Sequence, residues 1–441
     1  MTRLNVDLLV LASAMIPVDP PGLVIRDGYV AVEGGRIVSI GRRSSMPPVS
    51  AEEVVEGRGM VALPGLVNAH THVAMTLLRG LASDRPLDEW LREIWRVEAK
   101  MGPEEVLDGA RLGILEMLLS GTTTFSDMYF HEDSVARAAL ESGVRAVLSY
   151  GMIDAPGWER DPDKTVKELR EAERFIEDWH MAGGGRIRAA VGPHAPYTCS
   201  EELLRASAEL ARSRGLRLHI HLSETRREVE ELRERAGEGP PSYLDSLGVL
   251  GPNVLAAHGV WLDREEISLL ASKGASVVHC PASNLKLASG IAPVADMLRE
   301  GVNVALGTDG PASNDSLDMF REMRLAALLQ RGSRLDPRAL TSWDVLRMAT
   351  VNGARALGLA DEIGTLEAGK RADLILVDLR RPHLSTQRDP VSALVFSATG
   401  DDVDTVIVDG RVIVRARRVM TMDAREVVER ASRAASRLAS G

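Results

Sequence analysis

His70-Thr71-His72 closes an apolar run, Met60 to Val67 with Pro64-Gly65 inside it, that reads as a buried strand reaching its end. Residues two apart on a strand face the same side, so both imidazoles can converge on one metal ion. H-x-H recurs by chance, so the remaining donors must come from elsewhere in the chain. Of ten histidines, five (His70, His72, His194, His221 and His258) fall at or just past predicted strand ends. In Leu218-His219-Ile220-His221-Leu222-Ser223-Glu224, His219 and His221 share an inward face and His221 is nearer the mouth. His221 is therefore the third candidate ligand, with His219 expected in a buried layer beneath it. Asp309, closing Ala305-Leu306-Gly307-Thr308-Asp309, is the fourth; its competing reading is a helix cap ahead of 316–328. Three neutral imidazoles and one carboxylate leave a position for water, the arrangement of a catalytic rather than a structural site. Glu224, three residues beyond His221, brings a carboxylate to the rim, unless it merely pairs with Arg226 or Arg227. His258 can hydrogen-bond the water or a developing oxyanion.

The elements that must carry these groups alternate along the middle of the chain. Short apolar strands are predicted to end near His72, Asp127, Gly151, His194, Glu224, His258, Ser283 and Asp309. Helical stretches such as 103–120, 200–214, 264–273 and 293–300 lie between them. Eight β/α units over residues 62–366 have the count and size of a (β/α)8 TIM barrel, whose active site sits at the C-terminal strand ends. Both chain ends read as β-hairpins, turning at Gly34-Gly35 and at Asp409-Gly410. Residues 1–61 and 367–441 are therefore expected to form one small β-sandwich domain, with 424–438 as a packing helix.

With 441 residues, 45% hydrophobic, the chain can bury a large core. A formal charge of −10 and the lack of a Lys/Arg-rich block argue against nucleic acid and anionic membranes as partners. Cys199 and Cys280, the only cysteines, form neither a disulfide framework nor a C-x-x-C pair. The apolar stretch 8–16 follows Arg3, but Asp7 and Pro17, Pro20 and Pro21 argue against export, and a cytoplasmic protein is expected. The composition is silent on homo-oligomers.

The order H-x-H on strand one, H-x-x-E on strand five, H on strand six and D on strand eight resembles the amidohydrolase superfamily over nearly the whole chain. In that superfamily the fourth strand often carries a carboxylated lysine bridging two metals. Residues 186–200 contain no lysine and offer His194 instead, so one divalent metal is expected, Zn²⁺ in first place with Fe²⁺ suited to the same donors. Zn²⁺ lowers the pKa of a bound water to ~7, and zinc deaminases use such a nucleophile at C6 of adenine. Glu224 would then shuttle protons to N1 and the departing amine, Asp309 would accept the water proton, and His258 would stabilise the nucleophile.

A finer resemblance, to 5-methylthioadenosine/S-adenosylhomocysteine deaminases, rests on His70-Thr71-His72 with 75–80, Asp127-Met128-Tyr129-Phe130, 192–197 and 279–287. Guanine deaminases and triazine hydrolases belong to the same branch. The resemblance implies that Glu98 accepts hydrogen bonds from the ribose hydroxyls, that His194 contacts the nucleoside, and that Glu224 and Asp309 meet the base. Where some members carry an arginine for the amino-acid tail, this chain has Tyr150; Arg160 could match a second arginine. One cation fewer favours 5'-methylthioadenosine or another neutral 5'-modified adenosine over S-adenosylhomocysteine. The alternative substrate is another aminoheterocycle: guanine, a triazine or a pterin.

Overall fold

The strands of the middle region are runs of branched and small apolar residues buried on both faces, as parallel strands sandwiched between a filled interior and covering helices must be. The computed structural model describes residues 4–85, 87–155 and 161–440. Eight strands follow one another round a parallel barrel: β1 (Leu66–Thr71), β2 (Thr122–Tyr129), β3 (Arg145–Met152), β4 (Ile187–Pro193), β5 (Leu218–Leu222), β6 (Val254–His258), β7 (Ser276–His279) and β8 (Asn303–Leu306). Val67, Ala69, Val147, Ala190, Leu255 and Val278 fill the interior. The first and last strands meet where the Asp309 N–H donates to the His70 carbonyl at 3.0 Å. Gly307 permits this approach, because a Cβ there would lie 2.8 Å from the His70 carbonyl oxygen.

Seven strand ends fall within three residues of the expected positions. The seventh stops at His279, not near Ser283, because Pro281 opens a helix, Pro281–Lys286, and its fixed φ suits the first turn. Ser283 therefore projects from a helix over the barrel mouth.

The terminal segments form one continuous eight-stranded sheet. Leu4–Met15 pairs antiparallel with Ile25–Glu33 and parallel with Val49–Pro64, so the apolar stretch at 8–16 is a sheet strand. Two-residue turns with positive φ at both positions, Gly34-Gly35 (56° and 75°) and Asp409-Gly410 (53° and 74°), make the expected hairpins. The two turns touch, and the sheet curls over a core of Leu8, Val10, Val30, Val32, Leu374 and Ile407. The sandwich is thus a single sheet folded on itself. The 16-residue strand Val49–Pro64 serves two cores: Met60 and Ala62 enter the terminal one, Val61 and Leu63 the barrel's. The expected boundary between 61 and 62 therefore lies inside a shared strand.

Arg145, fully buried at the start of β3, ties barrel to sheet through two hydrogen bonds to Asp373 (2.8 and 3.1 Å). The C-terminal helix, Ala424–Ser440, buries Val427, Ala431, Ala434 and Leu438 and leaves Val428 48% exposed. It packs on the barrel helix Pro103–Leu119, where Arg430 donates to Asp108 at 2.8 Å. Among the described residues no helix is long and apolar enough to cross a membrane, and both cysteines are buried and unpaired.

Candidate active site

β1, β5 and β8 bring His70, His72, His221 and Asp309 to one point at the C-terminal mouth of the barrel. Asp309 Oδ1 lies 3.3 Å from Nε2 of both His70 and His72, and the Nε2 atoms of His72 and His221 are 3.3 Å apart. The other ring nitrogens of His72 and His221 are committed to carbonyls: Nδ1 of His72 donates to Met128 O at 2.6 Å and that of His221 to His194 O at 2.8 Å. A carbonyl only accepts, so both Nε2 atoms carry bare lone pairs. Nε2 of His70 is buried without a hydrogen-bond partner. Burial lowers the pKa of all three imidazoles, that of His70 to about 4, so each is neutral at physiological pH. The lone pairs of His70 and His72 face one carboxylate oxygen, with that of His221 3.3 Å from His72, and repel one another until a cation sits between them; His70, His72 and Asp309 form a donor group that fits one.

Asp309 is held from behind. Its Oδ2 accepts from Ser283 Oγ (2.6 Å) and Ser313 Oγ (2.7 Å), leaving Oδ1 for the centre. Burial alone would raise its pKa, but the approach of His70 and the neighbouring His72 and His258 hold it well below the usual carboxylate range. The competing cap reading fails: the helix over Met319–Arg334 is capped by Asp318, whose side chain accepts from the Phe320 N–H. The left-handed backbones of Ser223 (φ 51°), His258 (77°) and Asp309 (59°) cluster at three strand ends around the site, as strained residues do where geometry is imposed by function.

Glu224 is buried beside the quartet, its Oε2 3.9 Å from His258 Nε2. Arg226 and Arg227 pair with Glu230 and Glu231 one helical turn on, so the salt-bridge alternative does not hold. Burial raises the Glu224 pKa against the opposing pull of His258. The His258 ring is anchored through Nδ1 to Asn284 Oδ1 at 2.9 Å.

A cavity of about 250 Å³ opens above these groups and is lined by Glu98, His194 and Tyr150 as well as His72, Glu224 and Asp309. Glu98, at the end of α1 (Leu87–Glu98), is buried rather than solvated, and Tyr129 OH donates to its Oε1 at 2.5 Å. His194 holds Thr198 Oγ1 at 2.9 Å. Arg160 lies outside the described residues. Sequence reasoning gave no role to Tyr129, Ser283 or Asn284, which were legible only as parts of motifs, nor to Ser313, which lies outside them. It also missed Lys164 and Glu168, one turn apart on the helix Pro162–Trp179, which line the outer cavity; Tyr150 is hydrogen-bonded to Glu168.

Burial pushes the Glu98 pKa up from 4.5 to about 7, although the Tyr129 hydrogen bond opposes the shift. Between those values the folded protein holds a proton that the unfolded chain has released, so this group makes stability fall as pH rises. Glu98→Gln is expected to remove about 2 kcal/mol of that decline between pH 5 and 8. Urea unfolding of the metal-free protein across this range measures it, and parallel curves for the two proteins would contradict the shift.

The barrel with an open donor set at its mouth defines a class, the metal-dependent barrel hydrolases. The Amidohydrolase family model matches residues 61–413, and the chain belongs to that family. A 5'-deoxyadenosine deaminase of Methanothermobacter thermautotrophicus is 50% identical over 94% of this chain and 95% of its own length. A 5-methylthioadenosine/S-adenosylhomocysteine deaminase of Moorella thermoacetica is 50% identical over 95% of this chain and 97% of its own. Among solved structures, a zinc-bound adenosine deaminase from Xanthomonas campestris superposes with a TM-score of 0.95 at 38% identity, covering 100% of both chains. The atrazine chlorohydrolase TrzN of Arthrobacter aurescens, complexed with zinc, gives 0.90 at 28% identity over 97% of this chain and 100% of its own.

Proposed function

We propose that this chain hydrolyses the 6-amino group of a 5'-substituted adenosine, releasing ammonia and the inosine analogue, with one divalent metal, Zn²⁺, held by His70, His72, His221 and Asp309. The observation that carries the reading is Glu98: a buried carboxylate, fixed by Tyr129, in the same cavity as the quartet. Two oxygens on one carboxylate match two vicinal ribose hydroxyls, which guanine, triazines and pterins lack. The activities of the relatives support the same class.

The ion, when bound, supplies a water whose pKa is lowered to ~7. Asp309, ionised throughout the neutral range, accepts the proton of the water that attacks C6. Glu224, raised by burial, gives a proton to N1 and later carries one to the leaving amine. His258, anchored on Asn284, orients the nucleophile through Nε2, while Glu98 and His194 hold the nucleoside.

Ammonia release from 5'-deoxyadenosine, 5'-methylthioadenosine, S-adenosylhomocysteine, adenosine and guanine tests the proposal. Turnover of the nucleosides but not of guanine is expected, and guanine as the one substrate turned over would replace this reading with the alternative.

For the 5' group, Tyr150 in place of a cation supports a neutral substituent, with Lys164 the one charge of that sign contributed to the outer cavity by the described residues. Tyr150→Arg is therefore expected to raise kcat/KM for S-adenosylhomocysteine relative to 5'-methylthioadenosine by ~10-fold, the worth of one charge-assisted hydrogen bond. An unchanged ratio would remove Tyr150 from substrate selection.

A further inference from the structure

Two of the three imidazoles in the quartet are oriented by backbone carbonyls, but the third is oriented by another imidazole. Nδ1 of His70 lies 2.8 Å from Nε2 of His219, a fully buried residue on β5 one layer below His221. Such a contact can run in either direction, and the direction decides whether His70 can bind a metal. If His219 donated from Nε2, His70 Nδ1 would accept, the His70 proton would sit on Nε2, and the atom aimed at the centre would have no lone pair.

Ligation of a metal by His70 through Nε2 sets the direction, and the surroundings of His219 accommodate it. Its Nδ1 faces the hydroxyls of Ser126 and Ser149 at 3.5 and 3.4 Å. The hydroxyls can accept as well as donate, so the His219 proton can sit on Nδ1 when His70 carries its own on Nδ1. Nε2 is then the acceptor, His70 donates to it from Nδ1, and Nε2 of His70 is left as a free lone pair.

We propose that His219 is a positioning residue that sets the tautomer and ring orientation of His70, a reading that rests on His70 being a metal ligand. His72 and His221 need no such residue, since Met128 O and His194 O do the same for them. His219 is thus the side chain through which the orientation of a ligand can be altered without removing that ligand.

The test compares His219→Leu, His219→Gln and His219→Asn with the native holoenzyme, using Zn²⁺ affinity by chelator competition and the absorption spectrum of the Co²⁺-loaded protein. Glutamine can place an amide oxygen where Nε2 stands, and asparagine is too short to do so. His219→Leu is expected to bind Zn²⁺ ~10- to 100-fold more weakly, the usual effect of losing a partner behind a ligand, with a changed Co²⁺ spectrum. Glutamine should recover most of the affinity and asparagine little of it. Native affinity and spectrum in His219→Leu, or no difference between the Gln and Asn variants, would overturn the proposal. The Gln and Asn pair decides the matter if the leucine variant does not fold. His70→Ala separates the two layers of the argument: if it keeps native affinity, the ligand assignment fails. If it loses affinity and His219→Leu does not, the positioning role alone fails.

Discussion

Glu224→Gln should lower kcat on 5'-deoxyadenosine by at least ~10²-fold while the protein retains its metal. The substitution keeps the shape of a buried side chain and removes its ability to release a proton. Nothing in the quartet depends on Glu224: its Oε2 approaches His258, and its backbone N–H is held by Glu228 Oε2 at 2.9 Å. Burial raises its pKa towards the range in which a carboxyl can both give and take a proton, the condition for a shuttle acting on N1 and then on the amine. Metal content and single-turnover rates measured on one preparation check both halves. A rate within a factor of ten of native, or a variant that has lost its metal, would take the shuttle role away from Glu224.

Asp309→Ala should lose more than ~10²-fold in metal affinity, since changing even a residue behind a ligand costs ~10- to 100-fold. Asp309 is the only anion in the quartet, with His70 and His72 3.3 Å in front of Oδ1 and two serine hydroxyls donating to Oδ2 behind. Without it, a dication faces neutral donors alone, and Ser283 and Ser313 lose their shared acceptor. Excess Zn²⁺ is expected to refill the site without restoring the rate, because the proposed acceptor of the water proton is missing as well. Chelator competition and a rate titration with added Zn²⁺ measure the two effects separately. Recovery of native turnover at saturating Zn²⁺ would leave Asp309 as a ligand and nothing more.

Much of the site follows from local pattern. Strand alternation puts His70 with His72 and His219 with His221 on shared faces whatever the rest of the chain does, and eight strand ends in a β/α alternation, all but Gly151 polar, leave few folds to choose from. Boundaries were less legible. Ser283 read as a strand end because apolar residues precede it, whereas Pro281 turned that stretch into a helix from which Ser283 reaches back to Asp309. Val428 sits at helical spacing in the last helix yet points to solvent, because the barrel helix beneath covers only the face of Val427, Ala431, Ala434 and Leu438. The terminal sheet folds over through contact of two turns, at Gly34-Gly35 and Asp409-Gly410, far apart in the chain, which no local period records.

Residue types, strand periodicity and chain order were enough to name the four candidate ligands, the glutamate beside them and the barrel that carries them, because each depends on spacing within a single element. The partners that give those residues their protonation and direction come from other strands. Glu98 became a buried acceptor through Tyr129, Asp309 a fixed anion through Ser283 and Ser313, and His219 changed from a core histidine to the neighbour of His70. Hydrogen-bond direction and burial depend on distances between segments far apart in the chain, and folding alone sets those distances.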